Sequence, residues 1–132
     1  MNKKYFAKII AKDPQGLQII SAYCSESRVK IHEIKYLKQN KIFLLSIQRL
    51  SREIDDSKDK INSILKFDYI SSSKSKNIDQ NNPDLIIELL AINLFKRDHN
   101  YEITLLFSNN AIITLSAEII EATLEDQKKI ND

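Results

Sequence analysis

The chain of 132 residues carries a net charge of +2, with 42% hydrophobic and 29% charged residues, as in an ordinary soluble domain. The single glycine, Gly16, excludes the glycine-rich loops that bind phosphates or dinucleotides. The single cysteine, Cys24, excludes an intrachain disulfide and any zinc site with more than one cysteine ligand. No apolar run is long enough to span a membrane. We therefore expect one domain over residues 1–132, located in the cytoplasm with a reduced thiol.

The first predicted elements are a short strand and a helix. Residues 5–11 are aromatic and isoleucine-rich, which is typical of a strand. Asp13 and Pro14 then combine an N-cap residue with a proline suited to the first helical turn. Apolar side chains recur at helical spacing and predict a helix over residues 14–25 that packs on a sheet: Leu17, Ile20 and Cys24.

Beyond residue 28 the apolar period changes to two, which indicates strands. We predict a hairpin of strands 28–37 and 42–50 around the polar turn 38–41. A charged loop or frayed helical turn follows at 51–60. Residues 61–76 then form either one strand or a pair of strands with a bend.

The most apolar stretch, residues 85–95, follows the loop 77–84. It predicts a central strand covered on both faces, with a buried helix as the alternative. If one helix is all that covers this strand, an apolar face remains for a second copy or a protein partner.

The last third of the chain predicts a hairpin. Residues 101–107 and 111–115 alternate in polarity, and Asn109-Asn110 between them suits a turn with positive φ. After Ser116 either period fits, so the strand is expected to run to Ile120 and a short helical tail to cover 123–128. The elements together predict an α+β fold: a bent antiparallel sheet or incomplete β-barrel of about six to seven strands with one N-terminal helix.

Residues 103–126 carry a recognisable pattern: ITLLFSNNAIITL, followed by spaced Glu, Ile-Glu-Ala, Leu and Asp. This segment resembles the end of a bacterial family of domains of unknown function, of the type TLTF-AGG-A-IRL-VE-IEA-L-DL. Four upstream segments also resemble the family. Residues 13–22 resemble its acidic-start helix, and residues 43–49, 67–68 and 89–92 resemble its F-LVLNR, HFD and LLAIRF segments, respectively. The likeness covers nearly the whole chain, which implies a single domain and no known activity, cofactor or catalytic residue.

The chain departs from the family pattern in three places. Asn109-Asn110 replaces a Gly-Gly-like turn, residues 50–53 replace an aromatic segment containing Trp, and the family's extended C-terminal tail is missing. A site located in the Trp segment or in the tail is therefore in doubt for this chain.

Four polar residues form a candidate cluster: Arg49, Asp68, Glu118 and Glu121. Arg49 and Asp68 interrupt apolar strands and suggest a cross-strand pair or part of a pocket. Glu118 and Glu121 would share one face of a helical turn and act there as acid and base, or hold a hard cation. The simpler interpretation of the two glutamates is a solvated edge.

The absence of enzyme motifs favours a non-enzymatic binding or protein-interaction module that acts through a sheet face or a partly open barrel, without a cofactor. One alternative is a small RNA-binding protein with Lys-rich strands and an N-terminal basic run of Lys3, Lys4, Lys8 and Lys12. Nucleic acid is the less favoured partner, because lysines at sheet edges also protect against aggregation. The other alternative is a carboxylate-dependent, hydrolase-like enzyme.

Overall fold

The regular structure is mostly β-sheet. The computed structural model describes residues 6–50 and 60–127, and within those ranges it contains ten strands and one α-helix. Their bounds are β1 (Lys8–Ala11), α1 (Pro14–Cys24), β2 (Ser27–Lys30), β3 (Ile34–Leu37), β4 (Ile42–Leu50), β5 (Lys60–Phe67), β6 (Ile70–Lys76), β7 (Ile86–Lys96), β8 (Tyr101–Phe107), β9 (Ile112–Ala117) and β10 (Ala122–Asp126). The predicted loop or turn at 51–60 lies almost wholly outside the described residues.

Helix α1 forms where the capping signals predict it. The Asp13 carboxylate accepts a hydrogen bond from the Gly16 N–H at 2.7 Å, and Pro14 occupies the first turn. A Cβ on Gly16 would lie 3.0 Å from the Cα of Ala11, so the absent side chain lets β1 pass close to the helix. Leu17, Ile20 and Cys24 are buried, as the helical spacing predicts.

All strand pairs are antiparallel, in the order β1-β10-β5-β4-β2-β7-β8-β9-β6, and β3 pairs with β4 beside this path. The α+β class and the large antiparallel sheet with one helix are confirmed. The sheet is not closed, and the described residues form more strands than the six to seven predicted.

The additional strands come from three places where the sequence prediction was wrong or left open. The predicted strand 28–37 is two strands, β2 and β3, separated by a 3-10 turn at Ile31–Glu33. Residues 61–76 are the bent pair, β5 and β6, with Tyr69 at φ 62° in the bend. The expected helical tail is strand β10, which pairs with β1 on one side and β5 on the other. Its alternate side chains, Ala122, Leu124 and Asp126, are buried on one face of the sheet, which is the period of a strand.

Strand β7 corrects the expectation for the apolar stretch 85–95. It is a strand, as predicted, but only one of its faces is covered. Ile87 and Leu89 are buried beneath the sheet, whereas Ile86 and Leu90 are 45% and 44% exposed on the other face. The helix cannot cover both faces because α1 packs on the inner one, where the Ser21 hydroxyl accepts a hydrogen bond from the Ile92 N–H.

The hairpin of β8 and β9 is confirmed. Asn109 and Asn110 both have φ 61°, in the left-handed region that asparagine tolerates better than other residues with a Cβ. The Ala111 N–H donates to Ser108 O, and the Phe107 N–H donates to Ala111 O, which closes the turn.

Candidate functional site

Arg49 occupies an inward-facing position of β4, and its partner is Asp126 rather than the predicted Asp68. The Arg49 Nη2 and Nε donate to the two oxygens of Asp126 at 2.6 and 2.8 Å, and both side chains are inaccessible to solvent. The strand register explains the correction. Asp68 follows Phe67, which pairs with Phe43, so Asp68 lies about six residues along β4 from Arg49, roughly 20 Å away.

The small side chain of Ser63 allows this pair to form. Ser63 lies on β5 between the strands of the two charged residues, and its hydroxyl donates to Asp126 at 2.6 Å. The Ala7 N–H donates to the same carboxylate at 2.7 Å, and the Tyr23 ring lies 5.3 Å from the Arg49 guanidinium. This cluster, the Arg49–Asp126 cluster, joins the three strands β4, β5 and β10 to α1 and to the residue that precedes β1. Because both charges are shielded from solvent, it is a structural tie and not an open binding site.

The pKa of Asp126 predicts an acid-dependent loss of stability. Burial alone raises that pKa, but hydrogen bonds from Arg49, Ser63 and Ala7 outweigh it and hold the pKa below its ordinary value of 3.8. A carboxyl with a depressed pKa in the folded state contributes stability above about pH 4 and loses it as the pH falls further. We expect the gap in urea unfolding free energy between wild type and Asp126→Asn to narrow from pH 7 to pH 2. A gap that does not change with pH would contradict this assignment.

Cys24 lies at the end of α1, close to the same cluster. The pKa of its thiol is raised from 9.0 to about 12. Burial is the main cause, the nearby Arg49 opposes it, and Asp126 adds to it. Because the thiolate is the reactive species, we expect labelling by a disulfide reagent at pH 8 to be roughly a thousandfold slower in folded than in urea-unfolded protein. Similar rates in the two states would show that the thiol is accessible.

The other three candidate residues meet at one corner of the molecule through their backbones. The Asp68 N–H donates to Glu121 O at 2.9 Å, and the Glu118 N–H donates to Tyr69 O at 3.0 Å. Two of the three side chains have ion-pair partners elsewhere: Glu118 pairs with Lys41 at 3.3 Å, and Asp68 with Lys66 at 3.8 Å. The structure therefore groups Asp68, Glu118 and Glu121 in a mixed-charge surface and places Arg49 elsewhere.

Among residues 6–50 and 60–127, no group of three or more histidine, cysteine, aspartate or glutamate side chains is arranged to hold a metal ion. His32 lies in the 3-10 turn after β2, where its Nδ1 is 3.1 Å from Pro83 O and 3.6 Å from the exposed Asp84 carboxylate. Of the N-terminal basic run, Lys8 and Lys12 are exposed, and Lys3 and Lys4 lie outside the described residues.

The open seam of the sheet lies between β3 and β6. Strands β2 and β3 both pair with the same edge of β4, one after the other along it. No further strand pairs with β3 among the described residues, whereas β2 pairs with β7, and the sheet continues through β8 and β9 to β6. It curls back until β6 faces β3. The two edges are tied at one end, where the Ile70 N–H donates to Lys41 O and the Tyr36 hydroxyl donates to Ile70 O, both at 2.9 Å.

Beyond that tie the edges enclose a cleft of about 430 Å³, the seam cleft. Its wall and floor are apolar: Ile31, Ile34, Tyr36, Phe43, Ile78 and Ile113. Its polar rim is formed by His32, Ser73, Ser75 and Gln80. An apolar concavity of this size with a few convergent polar groups is the usual form of a ligand site.

Small residues on β6 create the space. Ser73 and Ser75 pair with the buried Leu115 and Ile113 on β9, so they occupy inward-facing positions where the neighbouring strands carry isoleucine or leucine. The far end of the cleft is held by the loop after β6, because the Ile31 and His32 N–H groups donate to Leu85 O and Pro83 O.

A second concavity of about 420 Å³ lies on the outer face, where β2 separates from β4. Arg28, Lys30, Glu33, Gln48 and Asn62 are among its lining residues. Its lining also contains Val29, Ile47, Ile64 and Ile86, but it combines these with charged groups of both signs. The lining of the seam cleft is more apolar and carries no Lys, Arg, Asp or Glu, so we take the seam cleft as the candidate site.

The sequence prediction of a partly open barrel anticipates a site of this kind but not its residues. A local signal is the run of residues 71–76, SSSKSK, because after Ile70 the rest of β6 carries no apolar side chain. Such a strand cannot close a hydrophobic core, and this property indicates an open edge.

Comparisons with known proteins give a family and no activity. None of the curated proteins or solved structures that were searched matches the chain. Within the described ranges, no helix combines the length and apolar character needed to cross a membrane. One family model matches residues 7–131, which is nearly the whole chain. This extent agrees with the whole-chain resemblance described in the sequence analysis. The chain belongs to this family, which is described as "Protein of unknown function (DUF2948)".

Proposed function

We propose that the chain is a non-enzymatic binding module that takes an apolar group of its ligand into the seam cleft. The observation that carries the proposal is the open seam itself, where isoleucine and aromatic side chains of the core form the floor of a cleft reached between two strand edges. Desolvation of an apolar group against this floor would supply the affinity, and the rim hydroxyls of Ser73 and Ser75 would orient it.

The rest of the molecule is consistent with binding rather than chemistry. The Arg49–Asp126 cluster is shielded from solvent, and the side chains of Asp68 and Glu118 are engaged with surface lysines. We also propose that residues 1–132 act as one domain, since a single cluster of buried residues runs from α1 through the sheet. A buried thiol suits the cytoplasmic location that the single cysteine predicts, and the family resemblance suggests a bacterial source.

Filling the cleft tests the proposal. Ser73→Phe places a ring in the cleft, and Ser72→Phe places the same ring on the opposite face of β6, since Ser72 pairs with the outward Ser116. We use Nile red, an uncharged dye that fluoresces in apolar surroundings. We expect saturable binding to wild type and Ser72→Phe, and at least tenfold weaker binding to Ser73→Phe.

Urea unfolding of both variants checks that each remains folded, and dye-induced shifts in amide NMR spectra locate the bound probe. Equal dye affinity of the two variants, or shifts confined to residues outside the seam cleft, would overturn the proposal.

A further inference from the structure

We infer that the ligand of the seam cleft is an extended peptide segment of another protein, with acidic side chains at alternate positions, that pairs with the free edge of β6. This inference rests on the proposed function and names the class of ligand. It depends on three features of the seam: an unpaired strand edge, an inward face that accepts apolar side chains, and an outward face of unpaired lysines.

The first feature is the edge of β6. This strand pairs with β9 on one side, and among the described residues no strand pairs with its other side. The tie at Ile70 holds only its first residue, so residues 72–76 present main-chain donors and acceptors toward the seam. Five residues of strand span roughly 16 Å, which is long enough to hold a short extended peptide.

The second feature is the side-chain alternation on β6. Ser73 and Ser75 point inward, so a strand added at this edge would direct every second side chain into the seam cleft. Those side chains would meet Ile34 and Tyr36 of β3 across the cleft. Apolar residues at alternate positions of the peptide therefore fit the floor.

The third feature is charge. Lys74 and Lys76 alternate with the serines and point outward on β6, and Lys35 does the same on β3. None of these three exposed lysines forms an ion pair within the described residues. The loop that follows β6 carries Asp79 and Asp84, but neither forms an ion pair with these lysines.

The lysines also distinguish between two occupants of the edge. A second copy paired through its own β6 would bring Lys74 and Lys76 of both chains together, which is unfavourable. A peptide whose outward side chains are glutamate or aspartate would neutralise them. We therefore assign the edge to an acidic partner segment and not to self-association.

Three labelled peptides test the inference by fluorescence anisotropy. The first alternates valine and glutamate over nine residues, the second replaces every glutamate by lysine, and the third is the first with alternate backbone amides N-methylated on one edge. We expect saturable binding of the glutamate peptide and at least tenfold weaker binding of the other two.

Two protein variants locate the edge that is used. Lys74→Glu should weaken binding of the glutamate peptide at least tenfold, because it reverses a charge on β6. Lys8→Glu makes the same change on β1, the strand at the other end of the sheet, and should leave the affinity within twofold of wild type. Loss of binding in Lys8→Glu rather than in Lys74→Glu would overturn the assignment.

The remaining outcomes separate this inference from the proposed function. If Nile red occupies the cleft and Ser73→Phe excludes it, but no peptide displaces the dye, the cleft binds an apolar ligand and the peptide assignment is wrong. If the N-methylated peptide binds as tightly as its parent, strand pairing is wrong. If sedimentation shows a dimer that Lys74→Glu strengthens or abolishes, the occupant is a second copy and the inference fails.

Discussion

Arg49→Met is expected to lower the free energy of unfolding by about 3–5 kcal/mol, because it leaves the Asp126 carboxylate buried without its cation. The methionine retains much of the apolar stem, so packing changes little. Equilibrium urea unfolding at pH 7 measures the loss. Arg97→Met provides a matched control, since Arg97 forms an exposed ion pair with Glu102 at 3.0 Å and should cost less than about 1 kcal/mol.

The double variant Arg49→Met/Asp126→Leu separates the stabilisation due to the ion pair from the destabilisation due to a single unpaired buried charge. Removing both charges should recover most of the stability that the single variant loses, because no unpaired ion remains. A double variant as unstable as Arg49→Met would mean that the hydrogen bonds of Ser63 and Ala7 to the carboxylate carry the effect.

Replacing both Asn109 and Asn110 by valine is expected to destabilise the protein by about 1–3 kcal/mol, because β-branched residues are strained at positive φ. Both residues have φ 61°, so both substitutions fall on unfavourable backbone. Replacing both by glycine keeps the conformation accessible and should change stability by less than about 1 kcal/mol. The comparison is made by thermal and urea unfolding of the two variants in parallel.

A valine variant as stable as the glycine variant would contradict this prediction, because it would show that the hairpin adopts another turn conformation with no loss of unfolding free energy. Asn77 offers an internal check, since its side-chain amide donates to Asn110 O at 2.9 Å. This contact depends on the same turn, so its amide resonances should shift in the valine variant and remain in place in the glycine variant.

Elements specified by neighbouring residues could be predicted from the sequence, and contacts specified by register could not. The bounds of β4 and the cap of α1 follow from alternation and from Asp13-Pro14, which are local signals. The partner of Arg49 depends on how β10 aligns with β5, and Asp126 lies 77 residues away. The sequence favours Asp68 as the partner because it follows an apolar strand, yet Asp68 lies beyond the other end of β4.

The seam cleft was unpredictable for a related reason. The apolar alternation changes phase within residues 28–37, from Val29 and Ile31 to Ile34 and Tyr36. This shift marks the turn at Ile31–Glu33, but it does not show that pairing with β4 passes there from β2 to β3. The cleft exists because that turn leaves β3 outside the main path of the sheet. The run of serines and lysines after Ile70 in β6 is the sequence signal at the cleft itself, because those side chains cannot complete a hydrophobic core.

The separation of Arg49 from its counter-ion has a consequence for synthesis on the ribosome. At roughly 5–20 residues per second, the 77 residues between them take about 4–15 s to be made. During that interval the residues of β4 have been made, but the carboxylate that neutralises Arg49 has not. Stable packing of this part of the core must therefore wait for Asp126. Folding of the nascent chain is delayed until β10 has emerged and can pair with β1 and β5.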